Sequence, residues 1–253
     1  MTDNIVYNGI LIGWIVLSVA IFISLFFIVA PYGRHHRSGW GITVNSTLGW
    51  IIMESASPLI FALCFILGSS PVSLTSWAFL LLWEAHYIHR AFIYPFSLKN
   101  ADGNMPLSVV LSGIFFNLVN ASLNGYYVFS LSGGYADRWL ADPRFIIGAG
   151  IFITGFVINR QADYTLGRLR QPGLAAYSIP YGGLYNLVSC HNYVGEILIW
   201  TGWAIATWSL AGLSFAVWTA ANLVPRARAH HAWYHEKFPE YPPGRKALIP
   251  GIW

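Results

Sequence analysis

Charged side chains are scarce in this chain. Of its 253 residues only 9% are Asp, Glu, Lys or Arg, whereas 56% are hydrophobic. A soluble domain typically carries about 25% charged residues, so the composition excludes an ordinary soluble fold. The apolar residues fall in long runs, which favours an integral membrane protein.

Signatures of several other protein classes are missing as well. The two cysteines, Cys64 and Cys190, lie in apolar contexts without metal-ligand spacing. The histidine pairs at 35–36 and 230–231 show no HExxH pattern, so no metal site is predicted. GAGIFITG at 148–155 is not GxGxxG and follows no strand, which excludes a Rossmann fold. No basic n-region with a cleavage site opens the sequence, so we interpret the first apolar run as a retained span.

Seven apolar runs are close to the roughly 20 residues that a spanning helix needs. They lie at 5–30, 47–67, 74–96, 107–131, 144–160, 184–201 and 203–224. The sequence shows no internal repeat and no second soluble region. We therefore predict one all-α integral membrane domain over 1–253 with seven transmembrane helices.

The basic residues predict an orientation for these helices. With loops alternating across the bilayer, eleven of the fourteen Lys and Arg residues fall on one side. Two, Arg138 and Arg144, fall on the other side, and Arg90 lies inside the third span. Cytoplasmic loops carry the excess of basic residues, so we expect the N-terminus outside and the C-terminus in the cytoplasm. The location of the basic residues on the cytoplasmic side thus explains the net charge of +4, and nucleic acid is not an expected partner.

A polar stretch from Asn159 to Glu196 interrupts the apolar pattern. Its Asn, Asp, Arg, Tyr and Glu side chains lie among glycines and prolines, between two apolar runs. Clustered hydrogen-bonding groups beside a membrane are costly unless something polar occupies them. We interpret the stretch as the main part of a cytoplasmic binding site for a large, charged cofactor.

Acidic residues also occur inside the predicted spans, at Glu54, Glu84 and Glu196. Ionisable residues within a membrane mark functional sites or internal ion pairs. In the third span Glu84, Tyr87 and Arg90 recur every three residues, which gives one polar helical face. We predict an internal salt bridge of Glu84 with His86 or Arg90.

Several segments together carry a family resemblance. They are YGRH at 32–35, WIIME at 50–54, HYIHRAFIY at 86–94, NRQADYTLGRLRQPG at 159–173, YSIPYGGLYNLVSCHNYVGEI at 177–197, AIATWSLAGLSFA at 204–216 and HHAWYHEKFPEYPPGRKALIPGIW at 230–253. The chain resembles the steroid 5α-reductase family over most of its length, and we expect a bacterial homologue. The ending YPPGRKALIP is less specific, since membrane methyltransferases of the wider superfamily end similarly.

The resemblance implies an enzyme that uses NADPH to reduce the C4–C5 double bond of a 3-keto-4-ene steroid. It implies a catalytic pair at Glu54 and Tyr87, with substrate contacts at Trp50, Met53 and Phe116. The implied cofactor residues are Tyr32, Arg90, Asn100, Asn159, Asp163, Arg170, Tyr177, Asn192, Glu196, Arg226, His230 and Tyr234. The substrate pocket is expected mainly within 1–131 and the cofactor site mainly within 159–253.

The residue types suit that chemistry. Hydride addition to C5 of an enone builds negative charge on the C3 oxygen, which two hydrogen-bond donors would stabilise. Tyr87 is one such donor, and Glu54 is another when it is protonated, a state that an apolar setting favours. Arginines suit the phosphates of the dinucleotide, and Asn, Asp and Glu suit its amide and ribose hydroxyls.

The sequence also departs from the family pattern. Met53 stands where steroid-type members have Gln, and the loop from Ala101 reads ADGN where members are basic. Ser112 and Ser178 stand where members carry Arg. These differences bear on the shape of the substrate and on the preference for NADPH over NADH.

Three alternatives stay open at this point. A reductase of the same superfamily would act on a polyprenol or an enoyl lipid. An S-adenosylmethionine-dependent methyltransferase would fit the C-terminal segment alone. A transporter or channel would use the buried acids and Arg90 as a path, although no repeat or pair of broken spans supports it. We expect a monomer in a lipid bilayer, either the bacterial inner membrane or the endoplasmic reticulum.

The predicted orientation is testable with reporter fusions. A reporter placed after Trp253 should report the cytoplasm, and one placed within 133–144 should report the opposite side, because basic residues are retained in the cytoplasm. Alkaline phosphatase and fluorescent-protein fusions measure this directly. If both fusions report one side, the seven-span arrangement is wrong.

Overall fold

The computed structural model describes residues 2–29, 35, 39–97, 104–169 and 177–253, and these are mostly helical. The α-helices are α1 (Ile5–Leu25), α2 (Ser46–Leu67), α3 (Leu74–Ile88), α4 (Tyr94–Ser97), α5 (Leu107–Tyr126), α6 (Pro143–Leu169), α7 (His191–Thr207) and α8 (Leu210–Lys237). A π-helical turn at His89–Ile93 joins α3 to α4, and another at Tyr127–Leu131 extends α5. Short 3₁₀ helices lie at Asp137–Ala141 and Gly183–Asn186. The expectation of an all-α protein is confirmed.

Helix starts are set by polar caps in the sequence. Asn4, Asn45 and Ser209 each accept a hydrogen bond from a backbone N–H in the first turn of the helix that follows. Ser73 forms a reciprocal capping box with Ser76 at the start of α3. These side chains satisfy N–H groups that have no partner within their helices, and so they fix where each helix begins.

A two-stranded sheet ties α2 to α5. The strands β1 (Thr43–Asn45) and β2 (Asn104–Pro106) are antiparallel, with Val44 opposite Met105. β1 is followed directly by α2, and β2 is followed directly by α5. The pairing therefore aligns the first turns of α2 and α5, which pack side by side and carry residues of the site.

The closest helix pair is α6 with α7, and glycines make it possible. A Cβ atom on Gly155 would lie 2.6 Å from the backbone nitrogen of Ile199, and one on Gly195 would lie 2.6 Å from that of Asn159. Gly148 and Gly202 leave even less room. Small residues that let two backbones approach are a usual way to pack helices in a membrane.

Aromatic rings fill the centre of the bundle. Trp83 stacks on Phe61 with ring centroids 4.2 Å apart, and Trp200 stacks on Phe215 at 3.8 Å. Trp203 is fully buried among these rings and donates its indole N–H to Asn124 Oδ1 at 2.9 Å. This core joins α2, α3, α5, α7 and α8.

Four helical segments of the described chain are long and apolar enough to cross a membrane. They are Ile5–Leu25, Ser46–Leu67, Leu107–Leu131 and Pro143–Leu169. The prediction of a membrane protein is confirmed at this level. That seven helices cross the membrane, and that the termini lie on the expected sides, stay predictions.

Several predicted boundaries in the C-terminal half are wrong. The fifth run does not end at 160, because Asn159 to Leu169 continue α6. No turn follows 201, because Gly202 serves helix packing and the chain turns at Trp208, whose φ is 46°. The last helix passes through Pro225 and ends at Lys237. Polar residues and glycine were thus mistaken for breaks in helices that tertiary packing keeps continuous.

The segment after α8 folds back onto the start of α7. Lys246 pairs with Val188 in a parallel bridge, and the Ser189 N–H donates to the Lys246 carbonyl at 2.8 Å. The Ser189 hydroxyl lies 2.7 Å from the Tyr241 hydroxyl and 2.6 Å from His231 Nδ1. Burial lowers the pKa of His231, and the nearby His235 and Lys246 lower it further. This favours a neutral ring at the joint.

We predict that Gly155→Ala destabilises the protein, because its methyl group would meet the backbone of α7. Overpacking of this kind costs about 1–3 kcal/mol. Gly150→Ala is the matched control, since a Cβ there meets nothing within 4 Å and alanine favours the helix. In detergent, the melting temperature of Gly155→Ala should lie well below that of the parent, and that of Gly150→Ala should lie at or above it. Equal melting temperatures for the two variants would contradict the packing argument.

Candidate functional site: a buried ion cluster between the helices

The site begins at a proline inside α2. Pro58 has no N–H, so the carbonyl of Glu54, four residues earlier, loses its helical partner. Beside this point the Asn117 side-chain amide of α5 reaches across. It donates to the Met53 carbonyl at 2.8 Å and to Glu54 Oε2 at 3.4 Å. The Glu54 carboxyl is thereby held in the interface of α2 and α5.

Tyr87 of α3 lies close to Glu54 of α2, and Ser57 lies near both. The Tyr87 phenol lies beside Ser57, which sits one helical turn after Glu54 on the same face of α2. Ser57 also accepts the indole N–H of Trp83 at 3.2 Å. Tyr87 is buried and packs on the rings of Trp83 and Trp200. The predicted catalytic pair is therefore brought together.

Arg90 bridges two carboxyls from different helices. Its Nε lies 3.8 Å from Glu54 Oε1, and its Nη1 lies 3.8 Å from Glu196 Oε1. The guanidinium also lies over the rings of Trp50 and Tyr94, at 4.9 and 4.7 Å. The π-helical turn at His89–Ile93 contains Arg90, and such turns are frequent at functional sites.

Glu196 is the most heavily supported carboxyl of the cluster. Its two oxygens accept from Trp200 Nε1 at 3.2 Å and from Asn159 Nδ2 at 3.3 Å. His86 Nε2 lies 3.7 Å from it, in addition to Arg90. Two hydrogen bonds and the nearby Arg90 cation stabilise the charge of this buried carboxylate.

The end of α6 completes the cluster. The Asn159 amide donates to the Asn192 carbonyl at 3.0 Å as well as to Glu196. Arg160 Nη2 donates to Asn159 Oδ1 and lies 3.1 Å from Asp163 Oδ2. The Gly155 and Gly195 contacts between α6 and α7 are what bring these side chains within reach of one another.

The other described cofactor candidates gather on one face of α8. Arg226, His230 and Tyr234 recur every four residues, and Arg226 and Tyr234 are buried. The ring of His230 lies 5.5 Å from that of Tyr193, which follows Asn192 at the start of α7. Tyr177 packs on Trp233 at 5.3 Å. The first turn of α7 thus links this face to the ion cluster.

The three predicted substrate residues lie in different surroundings. Trp50 sits beside Arg90 in the ion cluster. Met53 is buried with Met105 and Val110 and faces Gly113. Phe116 packs on aromatic rings of α1 and α8, namely Trp14, Phe215 and Trp218. Only Trp50 is in direct contact with the charged groups.

Some predictions fall elsewhere. Tyr32, Asn100 and Arg170 lie outside the described residues. The predicted salt bridge of Glu84 is wrong, because His86 pairs with Glu196 and Arg90 with Glu54 and Glu196. Residues two apart on a helix do not face each other, so Glu84 and His86 point different ways. Among the described residues, buried Glu84 Oε1 has no hydrogen-bond partner.

Sequence reasoning missed the neutral and basic members of the cluster. Asn117 and Ser57 are polar residues within apolar runs, but only acids were weighed there. Arg160 entered only the count of basic residues. Its place next to Asn159 was the available signal.

A helical membrane protein with carboxyls, arginines and a phenol gathered in its interior has the makings of a membrane-embedded enzyme. Comparison with known proteins specifies the class. The family model for 3-oxo-5-alpha-steroid 4-dehydrogenase matches residues 103–253. Steroid 5-alpha-reductase DET2 of Gossypium hirsutum is 40% identical over 258 residues, which cover 100% of this chain and 99% of that protein.

Animal proteins match as well. The 3-oxo-5-alpha-steroid 4-dehydrogenase 1 of Bos taurus is 38% identical over 238 residues, with 92% of each chain covered. The human protein of the same name is 40% identical over 221 residues, with 87% of this chain and 85% of the human chain covered. The chain belongs to the 3-oxo-5-alpha-steroid 4-dehydrogenase family and is an oxidoreductase of steroid metabolism. The predicted family is confirmed, while the bacterial source stays a prediction.

The bridging role of Arg90 gives a stability prediction. Arg90→Met removes the cation shared by Glu54 and Glu196, and breaking a buried ion pair from one side costs about 3–5 kcal/mol. Adding Glu196→Gln to Arg90→Met should recover part of the loss, because the carboxylate left without this cation is removed. Thermal unfolding of the cofactor-free protein measures both the loss in the single variant and the recovery in the double variant. Arg138→Met, at an exposed cation, is the control, and an Arg90→Met protein as stable as this control would contradict the bridge.

Proposed function

We propose that this protein reduces the C4–C5 double bond of a 3-keto-4-ene steroid with NADPH as the reductant. The main support is that Glu54 of α2 and Tyr87 of α3 lie near each other in the protein interior, where the Tyr87 phenol lies beside Ser57, one helical turn after Glu54. Both are there as hydrogen-bond donors for one developing oxyanion. The relatives are named for steroid 5α-reduction and for 3-oxo-5α-steroid 4-dehydrogenase activity, which agrees with this substrate class.

The ion cluster supports the assignment of Glu54 as a protonated donor. Within the described part of the chain it contains the carboxyls of Glu54, Glu196 and Asp163, the guanidiniums of Arg90 and Arg160, and the imidazole of His86. Glu196 accepts two hydrogen bonds and has Arg90 and His86 beside it, and Asp163 is paired with Arg160, whereas Glu54 has Asn117 at 3.4 Å and a shared Arg90 at 3.8 Å. Of these three carboxyls, Glu54 therefore has the least support for its charged form. A neutral carboxylic acid donates a hydrogen bond, as the reaction needs.

The residues also fit a nicotinamide dinucleotide. Arg90, Arg160 and Arg226 present guanidinium groups that match phosphate oxygens. Asn159, Asn192 and Glu196 suit the carboxamide and ribose hydroxyls. NADPH, when bound, supplies the hydride that adds to C5 of the steroid.

The protein's part in the reaction is to stabilise charge. As the hydride adds to C5, the electron pair of the C4–C5 bond moves to form a C3–C4 double bond, and negative charge develops on the C3 oxygen. Glu54 and Tyr87 donate hydrogen bonds to that oxygen and strengthen as the charge grows. A proton that comes from solvent then adds at C4, and the C3 carbonyl forms again. The apolar walls formed by Trp83, Trp200 and Phe215 keep bulk water from the oxyanion.

The membrane arrangement follows from this assignment. NADPH is a soluble nucleotide, so the cluster at the end of α6 and the start of α7 should face the cytoplasm. That placement agrees with the excess of basic residues on the same side. Seven spans, with a cytoplasmic C-terminus, would put the steroid pocket within the bilayer, where an apolar substrate partitions.

Glu54 and Tyr87 give the sharpest test. Removing one donor to an oxyanion costs on the order of 100-fold in kcat. Glu54→Gln keeps an N–H donor and should retain more activity than Glu54→Ala, and Tyr87→Phe should lose activity while still binding NADPH. The double variant should lose less than the product of the single losses, because both donors serve one oxygen. The assay follows loss of enone absorbance with purified protein, a 3-keto-4-ene steroid and NADPH.

Glu84→Gln is the matched control, since it removes an intramembrane acid that lies outside the cluster. Its kcat should stay close to the parental value. If Glu54→Ala and Tyr87→Phe fold, bind NADPH and turn over at the parental rate, the two residues are structural and the proposal fails. Mass spectrometry of the purified protein adds a second test, because bound S-adenosylmethionine in place of NADP(H) would indicate a methyltransferase.

A further inference from the structure

The side-chain amide of Asn117 faces two acceptors on α2 with one nitrogen. Asn117 is buried between α5 and α2, where its Nδ2 lies 2.8 Å from the Met53 carbonyl oxygen and 3.4 Å from Glu54 Oε2. The first of these contacts decides which way the amide is turned. A backbone carbonyl only accepts hydrogen bonds, so the amide nitrogen, and not the amide oxygen, must face Met53. The same nitrogen is then the group that faces Glu54.

This orientation gives the two carboxyl oxygens of Glu54 different roles. The Asn117 nitrogen has N–H groups and no lone pair to offer, so Glu54 Oε2 must act as the acceptor. A protonated carboxyl carries its hydrogen on one oxygen, and the oxygen without the hydrogen is the better acceptor. The proton of a neutral Glu54 is therefore placed on Oε1.

Glu54 Oε1 is the oxygen that faces α3. It lies 3.8 Å from Arg90 Nε, which is beyond hydrogen-bond distance, so this cation does not hold the carboxyl by a hydrogen bond. Tyr87 lies about one helical turn before Arg90, and its phenol lies beside Ser57. The acid of Glu54 and the phenol of Tyr87 are thus both turned to the interface of α2 and α3. The Glu54 side chain keeps 13% of its surface exposed, so a ligand can reach it.

We propose that Asn117 is a positioning residue for the reduction of the steroid. It turns the Glu54 carboxyl so that the O–H on Oε1 points at the C3 oxygen of the substrate. The inference rests on the proposed function in that Glu54 donates a hydrogen bond to this oxygen. A donor that is already oriented stabilises the oxyanion without having to reorganise during the reaction.

The test introduces Asn117→Leu into three proteins that differ at position 54. Leucine has nearly the shape of asparagine but no N–H group. With Glu54 present, kcat should fall about twofold to tenfold, the usual worth of one hydrogen bond between neutral groups, while NADPH binding stays unchanged. In Glu54→Gln the change should again lower kcat, because Asn117 holds the oxygen of the introduced amide and so turns its NH2 group to the substrate. In Glu54→Ala it should have no effect, because no side chain is left to position.

Asn120→Leu is the matched control. Asn120 is another buried asparagine of α5, about one helical turn further along, and its Oδ1 accepts from Asn124 Nδ2 at 3.4 Å. Removing this amide should lower the melting temperature, but the folded protein should keep the parental kcat. The comparison separates the loss of any buried asparagine on α5 from the loss of the one that contacts Glu54.

Two results overturn the inference alone. One is an equal loss of kcat from Asn117→Leu in the parent and in Glu54→Ala, which would show a structural effect. The other is a parental kcat for Asn117→Leu when Glu54→Ala is strongly impaired. If Asn117→Leu does not fold, Asn117→Gln serves in the same comparison, because it keeps the amide but shifts it by one methylene group. If Glu54→Ala itself turns over at the parental rate, the proposed function fails together with the inference.

Discussion

The close approach of α6 and α7 is the constraint on which the site depends. Gly155 and Gly195 allow the two backbones to meet where any larger residue would collide. That contact sets Asn159 of one helix against Asn192 and Glu196 of the other. The helix contact and the polar contacts are therefore made at the same place, since a Cβ on Gly195 would meet Asn159 itself. The geometry of these polar groups is fixed by the backbones that carry them.

Charge balance is the second organising principle. Carboxyls and guanidiniums from α2, α3, α6 and α7 share partners instead of forming isolated pairs. In a low-dielectric interior each charge needs compensation, so four helices are held to one arrangement. The same sharing leaves Glu54 with the weakest support. The ion pairing that holds the bundle together thus agrees with the protonated Glu54 that the proposed reaction needs.

Sequence patterns predicted the N-terminal half of the fold better than the C-terminal half. The second to fourth apolar runs match the helices closely, because caps and breakers such as Ser73 coincide with real ends. In the second half Gly202 and Pro225 lie within helices, since packing and the membrane keep those helices continuous. The family resemblance predicted Glu54, Tyr87 and Glu196 as site residues. Asn117 was beyond reach, because only the pairing of α2 with α5 shows that its amide meets Glu54.

The return of the chain onto the start of α7 has a consequence for biosynthesis. Ser189 finds its partner Lys246 only 57 residues later in the chain. At about 5–20 residues per second, translation needs roughly 3–11 seconds to cover that distance. During this interval the segment that leads into α7, with Val188 and Ser189, lacks the strand-like pairing that holds it. This joint therefore forms after the helices that precede it, and a ribosome-bound chain stalled before Lys246 would lack it.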